Sequence, residues 1–287
     1  METATAFDPN AFKAATRNQW EKAARGWNDH TPQIRAWLRD ATDAMLEMAA
    51  IRRGSRVLDL AAGAGDQTLD IAERVGPEGF VLATDLSPAI LEFAQANARR
   101  AGYKNVETRA ADGESVGLDE ATFDAAVCRL GLMFFADPVR GLRATHRALK
   151  PGAGVCTMVF SRPDANPCIT TLMATALRHA GLPPRDPFQP GGLLSLGKPG
   201  LLDEMFRSAG FRDVATTRID APFRLPSARH YLDFVRASAS PIQQILGRLD
   251  AGAANAAWAE VEERLKVYET AAGWEGPNEL LLTAARR

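Results

Sequence analysis

The groups best able to do chemistry stand in three short stretches. VLDLAAGAGDQTLDIA (57–72) carries Asp59, Gly63, Gly65 and Asp66, ATDLSPAIL (83–91) carries Asp85, and AADGE (110–114) carries Asp112 and Gly113. In the first, an apolar strand-like run enters a glycine turn and resumes with Leu69, Ala72 and Val75 at helical spacing. That is the strand, turn and helix order of a nucleotide site. A dinucleotide site wants G-x-G-x-x-G, whose glycines permit a tight turn, close pyrophosphate approach and close helix packing. Here Thr68 takes the third place. Asp66 also sets a carboxylate where a pyrophosphate would need the positive end of the helix dipole. It reads as a helix N-cap, compatible with a ligand that brings no phosphate.

Asp85 ends the next strand and can accept from both ribose hydroxyls, which suits NAD and S-adenosylmethionine alike. Asp112 can accept the adenine amino hydrogens while the Gly113 N–H serves a ring nitrogen. Either aspartate alone is also an ordinary strand-end turn residue. With the glycine turn, at the ends of three successive strands, they outline a nucleoside site. For a base, His30 in GWNDHTP and His230 beside Tyr231 are the two histidines placed to overhang a ligand, and neutral imidazole can take a proton near pH 7. His146 and His179 lie in helical pieces and read as structural. Cys128, Cys156 and Cys168 lack CxxC spacing and read as packing residues; thiol chemistry such as arsenic binding would need two or three of them to converge. No HExxH, EF-hand or clustered Cys/His spacing suggests a metal.

These residues need a scaffold, and the pattern predicts one. From Arg56 strand and helix alternate, with strands at 57–61, 80–85, 106–110, 123–128 and 154–160. Alternation with apolar strands predicts a parallel sheet covered by helices on both faces. Ser87 before Pro88 predicts a helix start, and Lys150-Pro151-Gly152 a helix stop. Two helices, near 10–28 and 33–50, precede this core and concentrate Trp20, Trp27 and Trp37, either as anchors to the body or as an aromatic wall over a ligand. A late strand at 214–219 and a final one at 279–284 flank about sixty residues of helical character, a long insertion of the kind that is more often functional than filler. Lys plus Arg (34) nearly balances Asp plus Glu (35), so there is no overall attraction to nucleic acid or anionic membrane. The charged first thirty residues and the want of any ~18-residue apolar run lead to the expectation of a cytoplasmic protein.

The set resembles the class I S-adenosylmethionine-dependent methyltransferases, in the broad group that includes the ubiquinone and menaquinone biosynthesis C-methyltransferases. The resemblance rests on VLDLAAGAGD (57–66), VLATDLSPAIL (81–91), NVETRAADGESVGL (105–118), FDAAVCRLGLMFF (123–135) and RALKPGAGV (147–155), with AGF (209–211) before the late strand. It covers roughly Arg56 to Phe160. It departs mildly at Ala64 and Asp66, where such proteins commonly carry Thr or Ser and another small or polar residue. The resemblance implies an α/β, Rossmann-like fold with a seven-stranded, mostly parallel sheet, helices on both faces and a helical lid. The expected organisation is an N-terminal helical cap (1–50), a cofactor-binding core (51–220), a helical lid insertion (221–277) and a final core strand (278–287).

Carried over position by position, it implies that Ala61, Gly63 and the turn through Gly65 meet the methionine part of S-adenosylmethionine, with Asp59 organising the loop. Asp85 would take the ribose hydroxyls, Leu86 would pack on adenine, and Asp112 with Gly113 would read its edge. Arg129 follows the fourth strand, where backbone lies near the methionine part; its side chain is open between an anionic substrate group and an ion pair. Part of the run Leu132 to Phe135 is expected in the acceptor pocket. The implied activity is in-line methyl transfer to a small, partly apolar metabolite, on O, N or C, by alignment of the reactants and without a metal. His30 and His230 are the candidate catalytic groups. The expected partner is a small-molecule acceptor, with no nucleic acid and no membrane span; a homodimer is compatible. Two other readings stay open: a non-methylating catalyst that keeps the cofactor, such as a cyclase, and a partner-dependent noncatalytic subunit. A dinucleotide oxidoreductase ranks below both because of Asp66 and Thr68.

Overall fold

The structure, a computed structural model, describes residues 7–238 and 241–287. Two helices, α1 (Pro9–Asp29) and α2 (Thr31–Met48), lead into the alternating core. It runs β1 (Arg56–Leu60), α3 (Asp66–Val75), β2 (Phe80–Asp85), α4 (Pro88–Arg100), β3 (Val106–Ala110), β4 (Phe123–Arg129), α5 (Pro138–Ala148) and β5 (Leu149–Phe160). Then follow α6 (Pro167–His179), α7 (Leu201–Ser208), β6 (Arg212–Asp220), β7 (Phe223–Leu225), α8 (Ala228–Ala237), α9 (Pro241–Leu246), α10 (Ala251–Leu265), β8 (Glu269–Thr270), β9 (Gly273–Gly276) and β10 (Glu279–Arg286).

Local chemistry explains three of the helix starts. Asp8 accepts the Asn10 and Ala11 N–H groups before α1, Ser87 Oγ accepts from Ile90 N–H before α4, and Asp137 caps α5 at Arg140 N–H. In all three the helix opens with a proline, whose missing N–H would have had no partner there. Helix α3 corrects the sequence reading: its N-cap is Gly65, at φ 85°, and Asp66 is the first helical residue, turned inward. A cap carboxylate would have faced its own N–H groups; this one has a cation elsewhere.

Seven strands form one sheet in the order β3-β2-β1-β4-β5-β10-β6. β1 to β5 run parallel, and β10 lies antiparallel between β5 and β6. The chain builds outward to β3 and then returns to lay β4 beside β1, so the carboxyl ends of β1 and β4 diverge into the crevice where such sheets bind ligands. Val57 to Leu60 and Ala125 to Arg129 are buried throughout, as central parallel strands must be. The segment between β6 and β10 is not wholly helical. Beside α8, α9 and α10 it holds a small antiparallel sheet, β7-β9-β8, with Trp274 of β9 buried and donating through Nε1 to Leu265 O at 2.8 Å. Strands of two to four residues, one reading GWEG, carry no alternation for sequence to reveal.

Candidate active site

One cavity opens over the carboxyl ends of β1 to β5 and the start of β10, beneath α1 and the segment after β6. Its walls divide by strand. Over β1, β2 and β3 lie Ala61 to Gly63, Thr84 to Leu86 and Ala111 to Glu114; over β4, β5 and β10 lie Leu130, Gly131, Met133, Phe160 and Asn278, with Phe223, Tyr231 and Phe234 closing from outside the sheet.

The first half is a polar cradle built from backbone. Positive φ at Ala61 (52°), Gly63 (59°) and Gly65 (85°) coils the β1–α3 turn, and Gly63 N–H donates to Asp85 Oδ2 at 3.0 Å. The other Asp85 oxygen accepts Ser87 N–H at 2.9 Å. Burial raises the Asp85 carboxyl above its ordinary value, against the opposing pull of the Ser87, Gly63 and Leu86 N–H groups. At the end of β3, Asp112 accepts from Glu114 N–H (2.9 Å), Ser115 Oγ (3.3 Å) and Lys13 Nζ (2.7 Å). Burial works against the charged Asp112, yet the Lys13 and N–H bonds hold it below the usual carboxylate range. Lys13 also meets Glu114 at 2.6 Å and so pins α1 over this end. Gly113 is bare for a reason: a Cβ there would stand 2.3 Å from the Phe135 ring.

Gly65 and Asp59 serve the turn from behind rather than from the wall. A Cβ on Gly65 would meet Ala94 Cβ at 2.9 Å, so this glycine lets α3 approach α4. Asp59 is fully buried and accepts from Thr68 Oγ1 at 2.6 Å and Gln67 Nε2 at 3.2 Å, fastening the first turn of α3 to β1. Burial pushes its carboxyl up to about 7, although those bonds and Arg129 oppose the shift. Arg129 resolves to the ion pair. Its guanidinium donates to Asp66 Oδ2 and, at 3.1 Å, to Thr42 Oγ1 of α2, with both charged side chains buried.

The expected bases do not converge on this cavity. His30 hydrogen-bonds through Nδ1 with Gly26 O at 2.8 Å and packs edge-on to Phe234; His230 is exposed and hydrogen-bonds with Ser227 Oγ at 2.8 Å. Neither lines the walls. Helix phase decides this: His30 closes α1 onto its own last turn, and His230 sits on the outer face of α8 while its neighbour Tyr231 takes the inner one. The tryptophans do make an aromatic wall. Lys13, Thr16, Trp20 and Trp27 form the inner stripe of α1, and Trp37 of α2 stacks on Phe223 at 4.6 Å while donating to Ala221 O at 2.7 Å. Of the run after β4, Met133, Phe134 and Phe135 line the cavity and Leu132 packs beneath. Sequence reasoning missed Lys13, Phe160, Phe223, Tyr231, Phe234 and Asn278; only Lys13 left a signal, one helical face with Thr16 and Trp20. The three cysteines are buried and free, each thiol pushed by burial up to about 12. Among the described residues no group of three His, Cys, Asp or Glu could hold a metal ion, and no helix is long and apolar enough to cross a membrane.

Known proteins share this framework. A profile described as the ubiE/COQ5 methyltransferase family matches residues 33–176. A ubiquinone/menaquinone biosynthesis C-methyltransferase of Idiomarina loihiensis is 38% identical over 130 residues, 45% of this chain and 50% of that protein. The chain thus spans about half the length of the curated relatives it matches. Among solved structures, a putative methyltransferase from Bacillus halodurans superposes with a TM-score of 0.56 at 20% identity, covering 85% of this chain and 97% of that one. Haemonchus contortus phosphoethanolamine N-methyltransferase 2, solved with phosphomonomethylethanolamine and S-adenosylhomocysteine, gives 0.57 at 14%, covering 91% of this chain and 57% of that one. At such identities these structures speak for the fold.

Proposed function

The chain belongs to the ubiE/COQ5 methyltransferase family, and on that premise we propose that it transfers a methyl group from S-adenosylmethionine to a small, partly apolar acceptor by in-line displacement. One observation carries the reading: a backbone-built nucleoside cradle over β1–β3 runs without a break into an aromatic chamber over β4–β10. The donor set fits a nucleoside without phosphate. Each Asp85 oxygen spends one lone pair on a backbone N–H and keeps others for ribose hydroxyls, while the cation nearest the turn, Arg129, is already committed to Asp66.

When bound, S-adenosylmethionine supplies a methyl group already activated by its sulfonium. The chain's part is to hold and to exclude. Ala61 and Gly63 offer backbone groups to the amino-acid end, Asp85 takes the ribose, Leu86 lies against the base, and Asp112 with Gly113 reads its edge. Lys13 shares Asp112 with that edge and keeps α1 closed. Trp20, Trp27, Phe160 and Phe234 exclude water and orient the acceptor, and orientation is where the rate gain of such a transfer arises. The quinone-related acceptors of its relatives fit the apolar chamber.

Calorimetric titration with S-adenosylhomocysteine tests this. The chain should bind it and ignore NAD, and Asp85→Ala, which takes the acceptor from the Gly63 and Ser87 N–H groups but leaves the core packed, should still fold and should weaken binding at least about tenfold, the loss of hydrogen bonds to a charged group. Binding of NAD alone, or full affinity in a folded Asp85→Ala, refutes the assignment.

A further inference from the structure

The two halves of the cavity differ in what they can do with a proton. The titratable lining residues Asp85, Asp112, Glu114 and Lys13 all stand over β2 and β3, and Lys13, Asp112 and Glu114 are bonded to one another. Arg129 is bound to Asp66. Over β5 and β10, among the described lining residues, the one titratable group is Tyr231. An acceptor lodged there meets no side chain able to take its proton at neutral pH.

Tyr231 also carries an unspent donor at that end, beside the second amide hydrogen of Asn278. Ser238 gives its hydroxyl hydrogen to Val235 O at 3.2 Å, Asn278 donates to Gly276 O at 3.2 Å, and Trp37 donates to Ala221 O. The Tyr231 hydroxyl has no hydrogen-bond partner among the described residues. Nor is its oxygen one of the fully enclosed, unpartnered atoms, which are Thr31 Oγ1, Asp66 Oδ1, Thr157 Oγ1 and Glu279 Oε1. A residue only 6% exposed that lines this cavity therefore opens its hydroxyl onto cavity space. The ring is fixed, stacked on Trp274 at 4.8 Å and edge-on to Phe223 at 5.8 Å, so the position of the hydroxyl oxygen is set before any ligand arrives.

Resting on the reading of the cavity as a methyl-transfer site, we infer that Tyr231 is the hydrogen-bond donor that holds an ionised oxygen of the acceptor, an enolate or phenolate, at the β5–β10 end. The acceptor class follows from the same walls. A flat ring suits Phe160, Phe223 and Phe234, and an anion taken into such a chamber must find a donor or stay in water. Its proton is left in solvent, so no protein base is called upon. The phenol itself stays a donor: burial, and secondarily the nearby Cys168 thiol, push Tyr231 well above its ordinary value.

The test compares 4-nitrophenolate with 4-nitroanisole, its neutral methyl ether, on protein saturated with S-adenosylhomocysteine, at a pH above the pKa of 4-nitrophenol. Wild type should hold the phenolate at least about tenfold more tightly, as a hydrogen bond to a charged partner warrants. Tyr231→Phe should erase that preference while leaving the anisole affinity, the S-adenosylhomocysteine affinity and the unfolding midpoint unchanged, because the ring packing remains and the hydroxyl holds no protein group. Equal affinity for both probes in wild type, a preference that survives Tyr231→Phe, or no phenolate binding to the loaded protein overturns the inference. Failure to bind S-adenosylhomocysteine at all refutes the methyl-transfer reading itself, a separate result.

Discussion

Replacing Arg129 with Met should cost as much stability as a large core truncation, and the structure sets the size. The Arg129 and Asp66 side chains are 3% and 1% exposed, and Asp66 Oδ1 has no partner even with the arginine present. Without the guanidinium a carboxylate remains in the interior with no cation, and Thr42 loses its donor. Breaking a buried pair from one side costs about 3–5 kcal/mol, against a total margin of about 5–15 kcal/mol. With a urea dependence of about 3 kcal/mol per molar for a chain of this size, the midpoint should fall by about 1–2 M, read by tryptophan fluorescence. Asp66→Leu alone should do comparable damage by stranding the arginine. The double variant Asp66→Leu/Arg129→Met should recover most of the loss, since an apolar pair of similar volume satisfies the same space. Additive costs in that cycle, or a single-variant loss under about 1 kcal/mol, would show that water reaches the pair and that it does not tie α2, α3 and β4 together.

Asp59 makes a pH prediction. Its folded carboxyl titrates at about 7 against roughly 4 in an unfolded chain, so between those values the folded state holds the extra proton. The contribution of Asp59 to stability is therefore fully present below about pH 4 and is lost as pH rises through about 7. Asp59→Asn should flatten that decline and gain up to about 4 kcal/mol at pH 8; urea midpoints that fall in parallel for both proteins would refute it. At Gly131 a Cβ would stand 2.3 Å from Ala61 Cβ and 3.1 Å from Cys128 Sγ, all carried on backbone or buried strand. Gly131→Ala should cost about 1–3 kcal/mol by overpacking and weaken S-adenosylhomocysteine binding through the displaced β1 turn, whereas unchanged calorimetric affinity would mean that the turn gives way freely.

The half of the site that sequence reveals is the half that local geometry builds. The glycine turn, Asp85 two residues before a Ser–Pro helix start, and Asp112 beside Gly113 each work through backbone within a few residues, so their types announce their setting. Asp66 misleads because its partner is 63 positions away, on a strand whose neighbour is fixed only when the sheet reverses between β1 and β4. The same holds for the bases. Chemistry singles out His30 and His230, but which ring faces the cavity depends on helix phase and on how α8 packs against α1 and α10, and there a one-residue step from His230 to Tyr231 decides the outcome. The aromatic chamber is assembled from α1, α2, β5, α8 and the start of β10, so that apart from the α1–α2 pair its walls lie far apart in sequence. Family membership therefore transmits the cradle, matched over residues 33–176, while Phe223, Tyr231, Phe234 and Asn278, which shape what the acceptor meets, lie beyond that match. A relative can keep the whole cofactor half and still present a different acceptor wall, which is why Tyr231→Phe and Asp85→Ala should separate cleanly: one alters acceptor preference at constant cofactor affinity, and the other alters cofactor affinity itself.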